Sequence, residues 1–196
     1  MHTDDPTDLA ELRAHAAGGA LTLFRHPRVM AEGLVYGRTD PPLGPDAARE
    51  IASAARRMRR LRLAPEAILT SPSPRAMALA AGLADALGVG VAADPRLMEL
   101  DFGAWEGLRW DALTPAERDP WAADPWRRAP PGGEAFGALA ARVAAALADA
   151  PPGAVMVTHA GVIRAVRILR GGLSVAEALA TPALFAAPVA IPALAR

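Results

Sequence analysis

The chain has 196 residues, 52% of them hydrophobic, which is enough to bury one sizeable core and predicts a single globular domain. Lys+Arg and Asp+Glu both number 21, so the formal net charge of +0 excludes bulk attraction to nucleic acid or to an acidic membrane. Every one of the Lys+Arg residues is Arg, and Lys, Cys, Asn and Gln do not occur. That excludes a phosphate-loop lysine, a Schiff base, a thiol nucleophile, a disulfide and an iron–sulfur cluster, leaving His, Ser, Thr, Asp, Glu and Tyr as nucleophiles.

Residues 1–20 carry Asp4, Asp5, Asp8 and Glu11 without an apolar run. They are expected to be neither signal peptide nor membrane span, which makes a cytoplasmic location the default. They read instead as a short, partly helical extension ending at Gly18 and Gly19, with the domain proper over 21–196. The apolar run Leu21 to Phe24 reads as a buried strand. Ile51, Ala55, Met58 and Leu61 recur at helical spacing, predicting a helix from Asp46, its expected N-cap, to about Leu63. A strand at Ala67 to Leu69, a helix carrying Leu79, Leu83 and Leu87, and a strand-like segment at Val89 to Ala92 follow. From about Asp94 to Gly133 the pattern breaks into turns, with Trp105, Trp110, Trp121 and Trp126 interleaved with Pro115, Pro120, Pro125, Pro130 and Pro131, as in an insertion that covers a site. A helix on Phe136, Leu139, Val143 and Leu147, a strand at Ala154 to Val157 and a helix from Gly161 complete the alternation. The expected fold is a three-layer α/β/α sandwich with a mostly parallel central sheet.

Three chemistry-bearing segments directly follow predicted strands: Arg25-His26, Ser71-Pro72-Ser73-Pro74-Arg75 and Thr158-His159. The carboxyl ends of parallel strands form the ligand crevice, so these segments are expected to meet there. Two His and two Arg suit a tetrahedral dianion gripped by charge-assisted hydrogen bonds. His26, neutral at the attacking nitrogen because nearby guanidiniums disfavour its charged form, is the expected nucleophile toward phosphorus. A backbone carbonyl on its other nitrogen would fix the tautomer. Arg25, Arg75 and a protonated His159 are expected to hold the phosphoryl charge. Glu99 is the expected proton donor, an acid first and a base for water second.

These residues resemble the histidine phosphatase, or phosphoglycerate mutase-like, superfamily over roughly residues 21 to 170. The resemblance implies His26 as the phosphorylated residue, Arg25 and Arg75 as phosphate ligands, and Glu99 and His159 as the remaining catalytic groups. The segments Arg25-His26-Pro27-Arg28-Val29, Tyr36-Gly37-Arg38-Thr39-Asp40, Asp101-Phe102-Gly103-Ala104-Trp105-Glu106-Gly107 and Pro130-Pro131-Gly132-Gly133-Glu134 are most similar to the α-ribazole phosphatase branch. They imply α-ribazole 5′-phosphate or adenosylcobalamin 5′-phosphate as substrate, with no metal or organic cofactor. Pro27-Arg28 departs from the Gly-Glu that commonly follows the catalytic His.

Arg28, Tyr36 and Arg38 stand as candidate substrate contacts, with solvated loop roles equally open. Asp101 and Glu106 read as structural groups, Glu134 as a helix-start carboxylate, the tryptophans as packing or lid anchors, and Arg56 to Arg60 as a solvated helix face. Exposed helices leave room for a homodimer. The rival readings are a phosphatase for other small metabolites and a noncatalytic module that binds phosphorylated ligands.

Overall fold

The computed structural model describes residues 6–16 and 18–193. Seven helices and five strands follow in chain order: α1 (Pro6–His15), β1 (Leu21–Arg25), α2 (Ala47–Leu61), β2 (Ala67–Thr70), α3 (Pro74–Leu87), β3 (Gly90–Ala93), α4 (Pro115–Ala123), α5 (Phe136–Ala148), β4 (Val155–Thr158), α6 (Ala160–Leu169), α7 (Val175–Ala180) and β5 (Pro188–Ile191). The sheet runs β3-β2-β4-β1-β5, parallel except where β5 meets β1. None of these helices is long and apolar enough to cross a membrane.

Alternation along the central strands divides two cores. Leu21 and Leu23 of β1 and Met156 of β4 face α5 and α6, where Leu139, Val143, Ile163 and Val166 are buried. Phe24, Val155 and Val157 face the other way, onto Ala54 and Met58 of α2 and Leu79 and Leu83 of α3. A strand covered on both faces reads as a continuous apolar run, which is why the central strands were visible in sequence. Helix α1 lies against α5 and α6, with Leu9 and Leu12 against that core and Arg13 Nε donating to the Ile168 carbonyl at 3.2 Å.

Several local expectations are corrected. Asp46 precedes α2 but its side chain makes no capping bond; it pairs instead with exposed Arg49 at 3.2 Å. Helix α2 ends two residues before Leu63, at Leu61, because Arg62 turns into the left-handed region at φ 51°. The 94–133 insertion contains α4, closed at its start by the reciprocal Thr114–Glu117 capping box, so Pro115 opens a helix there rather than breaking one. The tryptophans do anchor packing: Trp105, Trp110 and Trp121 stand edge to face with centroids 5.7 to 6.2 Å apart.

The register lines up three strand ends, pairing Arg25 with Thr158 and Thr70 with Val157. The residues that follow, His26, His159 and Ser71, therefore leave the sheet on one edge. Removing Leu139, which is 0% exposed, should stress this scaffold. Leu139→Ala is expected to lower unfolding free energy by about 3 kcal/mol in urea titrations. Leu61→Ala, at 53% exposure, should stay within about 0.5 kcal/mol of the parent.

Candidate active site

His26 follows β1 directly, its N–H donating to the Thr158 carbonyl at 2.9 Å, and it is 1% exposed. Its Nδ1 lies 2.6 Å from the Pro27 carbonyl, which can only accept, so Nδ1 carries the proton and Nε2 keeps its lone pair. Burial, reinforced by Arg25 and Arg75, depresses its pKa to about 3, against the opposing pull of the Pro27 carbonyl. The ring is therefore neutral at any ordinary pH, with a lone pair on Nε2 suited to nucleophilic attack.

His159 immediately precedes α6 and stands with its ring centroid 5.2 Å from that of His26. Its Nε2 is 2.8 Å from Ser71 Oγ and 3.4 Å from Ser73 Oγ. The expectation of a protonated His159 is corrected for the free site: complete burial, followed by the charges of Arg75, His26 and Arg25, holds its pKa well below the ordinary histidine value. Charge in the free site therefore comes from guanidiniums.

Arg75, 1% exposed, is fixed by three acceptors: the Gly37 carbonyl at 2.7 Å, the Thr39 carbonyl at 2.9 Å and Asp40 Oδ1 at 2.6 Å. Arg25 donates to the Ala183 carbonyl at 2.9 Å, and its guanidinium lies 3.7 Å over the Phe185 ring. The Nε–H groups of both are buried and make no hydrogen bond among the described residues. Unpaired buried donors are costly, and a phosphoryl oxygen is the acceptor their charge favours.

Glu99, 9% exposed, lies at the start of α6, where the Gly161 N–H donates to its two carboxylate oxygens at 3.0 and 3.1 Å and the Leu100 N–H donates to Oε1 at 2.9 Å. A Cβ at Gly161 would stand 2.2 Å from Oε1, so only glycine admits the carboxylate. The loop bearing Glu99 is held from behind by Arg142, which donates to the carbonyls of Arg96, Met98 and Glu99 and to both oxygens of Glu134, each at 2.8 Å for the latter pair. Glu134 is thus an anchor for Arg142, not a helix-start carboxylate.

Glu106 is structural, as read from sequence. It accepts from the N–H groups of Gly37, Arg38, Thr39 and Phe102, and although burial pushes its pKa up, the hydrogen bonds from Gly37, Arg38 and Thr39 outweigh that and hold it below the usual carboxylate range.

Tyr36 reaches the site, its ring 6.5 Å from that of His26 and beneath the Arg75 guanidinium at 5.4 Å. Arg28 sits on the rim, paired with Glu50 at 3.0 Å and 5.4 Å from the Phe185 centroid. Arg38 turns to Met98 Sδ at 2.8 Å, Asp101 at 3.7 Å and Glu134 at 3.9 Å, which makes it a brace between loops. Sequence reasoning missed Asp40, Arg142 and Phe185; the last meets the His26 ring edge on at 5.7 Å. Asp40 and Arg142 act through other residues: Asp40 closes the Tyr36 to Asp40 segment without a role of its own being legible there, Arg142 lies in no recognised segment, and Phe185 lies in the tail that no recognised pattern covered.

Residues 21–184 match the family described as histidine phosphatase superfamily (branch 1). The chain belongs to the histidine phosphatase superfamily. It is 37% identical over 147 residues to the bifunctional protein Rv2228c of Mycobacterium tuberculosis, covering 72% of this chain and 40% of that one. The chain thus spans well under half of that relative. It is 36% identical over 141 residues to a probable phosphoglycerate mutase GpmB of Enterobacter, covering 65% and 60% of the two chains. Among solved structures, mycobacterial glucosyl-3-phosphoglycerate phosphatase Rv2419c superposes with a TM-score of 0.74 at 27% identity, over 88% of this chain and 89% of that one. The α-ribazole phosphatase of Shigella flexneri superposes with a TM-score of 0.75 at 22% identity, over 87% and 89%. At that identity the likeness is one of fold.

The depressed His26 pKa has a consequence for stability. Between the ordinary value of 6.5 and about 3, the unfolded chain binds a proton at His26 that the folded chain refuses. Stability therefore falls as pH falls through that window. From pH 6.5 to about 5, before most carboxylates titrate, urea midpoints of the parent should drop more steeply than those of His26→Asn. Equal slopes would mean that His26 titrates normally.

Proposed function

We propose that the protein hydrolyses a phosphomonoester, without a metal, through a phosphohistidine at His26. The observation that carries this reading is the His26 tautomer: a buried, neutral imidazole with its Nε2 lone pair free beside two guanidiniums that present unpaired N–H groups. Nε2 attacks phosphorus, the P–O bond to the leaving group breaks, and Glu99 gives its proton to the departing alkoxide. Glu99 then takes a proton from water as the oxygen attacks, the P–N bond breaks, and phosphate leaves with His26 neutral again. Arg25 and Arg75 hold the equatorial oxygens through both steps, so positive charge is supplied by the chain itself. His159, neutral before binding, gains a reason to hold a proton only when the dianion arrives.

The substrate we assign is α-ribazole 5′-phosphate or its adenosylcobalamin 5′-phosphate counterpart. Support comes from the motif segments shared with that branch and from the aromatic walls Tyr36 and Phe185 flanking His26, which suit a ring-bearing leaving group. A second reading, a phosphatase for other small metabolites, is favoured by the phosphoglycerate-related names among the relatives and by a basic cavity beside Phe185.

Purified protein incubated with α-ribazole 5′-phosphate in EDTA should release phosphate, and His26→Ala should abolish the release. Loss of turnover on chelation would overturn the metal-free mechanism, and a ranking that puts sugar phosphates or 3-phosphoglycerate above α-ribazole 5′-phosphate would overturn the substrate. The proton-donor role has its own check. Gly161→Ala, which forces Glu99 aside, should lower kcat on an alkyl phosphate by about 10²-fold. It should cost much less on p-nitrophenyl phosphate, whose leaving group departs without a proton; equal losses would contradict Glu99 as the acid.

A further inference from the structure

A cavity of about 450 Å³ beside Phe185 is lined by Arg28, Glu50, Ser53 and Arg57 and by residues 183–187. Its volume is in the range of small-metabolite sites, roughly 300 to 1,000 Å³. It shares a wall with the catalytic centre, because the Phe185 ring that lines it also meets the ring of His26 at 5.7 Å and carries the Arg25 guanidinium. A leaving group attached to a phosphoryl held by Arg25 thus has this cavity one aromatic ring away.

The polar side of the cavity is a single stripe of α2. Glu50, Ser53 and Arg57 are three and four residues apart and so project from one face of that helix. Their charges are not balanced. Glu50 is taken up by Arg28, accepting from its backbone N–H at 2.8 Å and from its Nε at 3.0 Å. Arg57 has no ion pair or hydrogen bond among the described residues, leaving one uncompensated guanidinium in the cavity. Its neighbours Arg56 and Arg60, exposed like Arg57 on the same helix, do not line this cavity.

We infer that this cavity receives the leaving group and that Arg57 engages a second oxyanion where the leaving group carries one, so that of two phosphomonoesters of like size the one with the extra acidic group binds more tightly. The inference rests on the phosphatase reading, but not on which phosphomonoester is the physiological one. A guanidinium presents fixed donors that match a carboxylate or phosphate, while Ser53 supplies one neutral hydroxyl beside it.

The test uses two competitors of equal length, 3-phosphoglycerate and glycerol 3-phosphate, which differ by a carboxylate in place of a hydroxymethyl group. Each is measured as an inhibitor of p-nitrophenyl phosphate hydrolysis by the full chain. The parent is expected to bind 3-phosphoglycerate about fivefold more tightly than glycerol 3-phosphate, the effect of one partly exposed charge pair. Arg57→Ala should bring the two inhibition constants together, whereas Arg60→Ala should keep their ratio. Equal constants in the parent, or a ratio that survives Arg57→Ala, would overturn the subsite. Absence of p-nitrophenyl phosphate turnover in the parent would instead strike the phosphatase reading, so the two failures are told apart. Because Arg57 is exposed on its helix, its removal leaves the core intact.

Discussion

The site is built around one buried cation. Arg75, at 1% exposure, loses its hydration on folding and recovers it through the Gly37 and Thr39 carbonyls and Asp40. Removing one partner of such a group would leave a buried charge uncompensated, commonly a loss of about 3 to 5 kcal/mol. The loop 37–40 must therefore hold its shape before Arg75 can exist where it does. Glu106 secures that shape by accepting from three consecutive N–H groups of the loop, and Gly37 permits it, since a Cβ there would stand 1.7 Å from the Leu100 carbonyl. Because Leu100 follows Glu99, the loop that holds Arg75 and the segment bearing Glu99 are locked to each other.

The same economy explains the two glycine-bearing segments that looked like sequence signatures. A Cβ on Gly103 would meet the Pro131 carbonyl at 2.3 Å, and one on Gly133 would meet the Asp101 carbonyl at 2.5 Å. The two loops cross in contact, joined by hydrogen bonds from Ala104 to Pro131 and from Glu134 to Asp101, each 2.8 Å long. Glu134 then faces Arg142, whose remaining donors hold the carbonyls around Glu99. These glycines are thus part of the machinery that fixes a carboxylate, although none of them touches it.

What was legible in the sequence follows from this division. Leu21 to Phe24 and Ala154 to Val157 are buried on both faces, so their apolar runs announced strands, and the candidate residues His26 and His159 follow those strands closely. Helix α4 was hidden because Pro115 and Pro120 read as breaks, whereas Thr114 and Glu117 form the capping box that starts it. Strand β5 was hidden for another reason. It is four residues long, begins with Pro188, is followed by Pro192 and lies on a sheet edge, too short for periodicity to declare it. With β5 unseen, nothing placed Phe185 beside His26. Arg142 shows a different limit: its partners are backbone carbonyls 43 to 46 residues away, and a carbonyl leaves no mark in a sequence.

The burial that keeps His26 neutral also constrains where charge resides. With both histidines held neutral by burial and by adjacent guanidiniums, the free site owes its positive potential to Arg25 and Arg75. Arginine suits that role because it keeps its charge when desolvated, while a lysine in the same surroundings would be pushed toward its neutral form. An arriving dianion reverses the field felt by the imidazoles. It would make protonation of His159 more favourable, and that of His26 as well unless Nε2 bonds to phosphorus as proposed. The Pro27 carbonyl matters at that moment, since it keeps the proton on Nδ1 and leaves Nε2 as the only nitrogen that can form the bond.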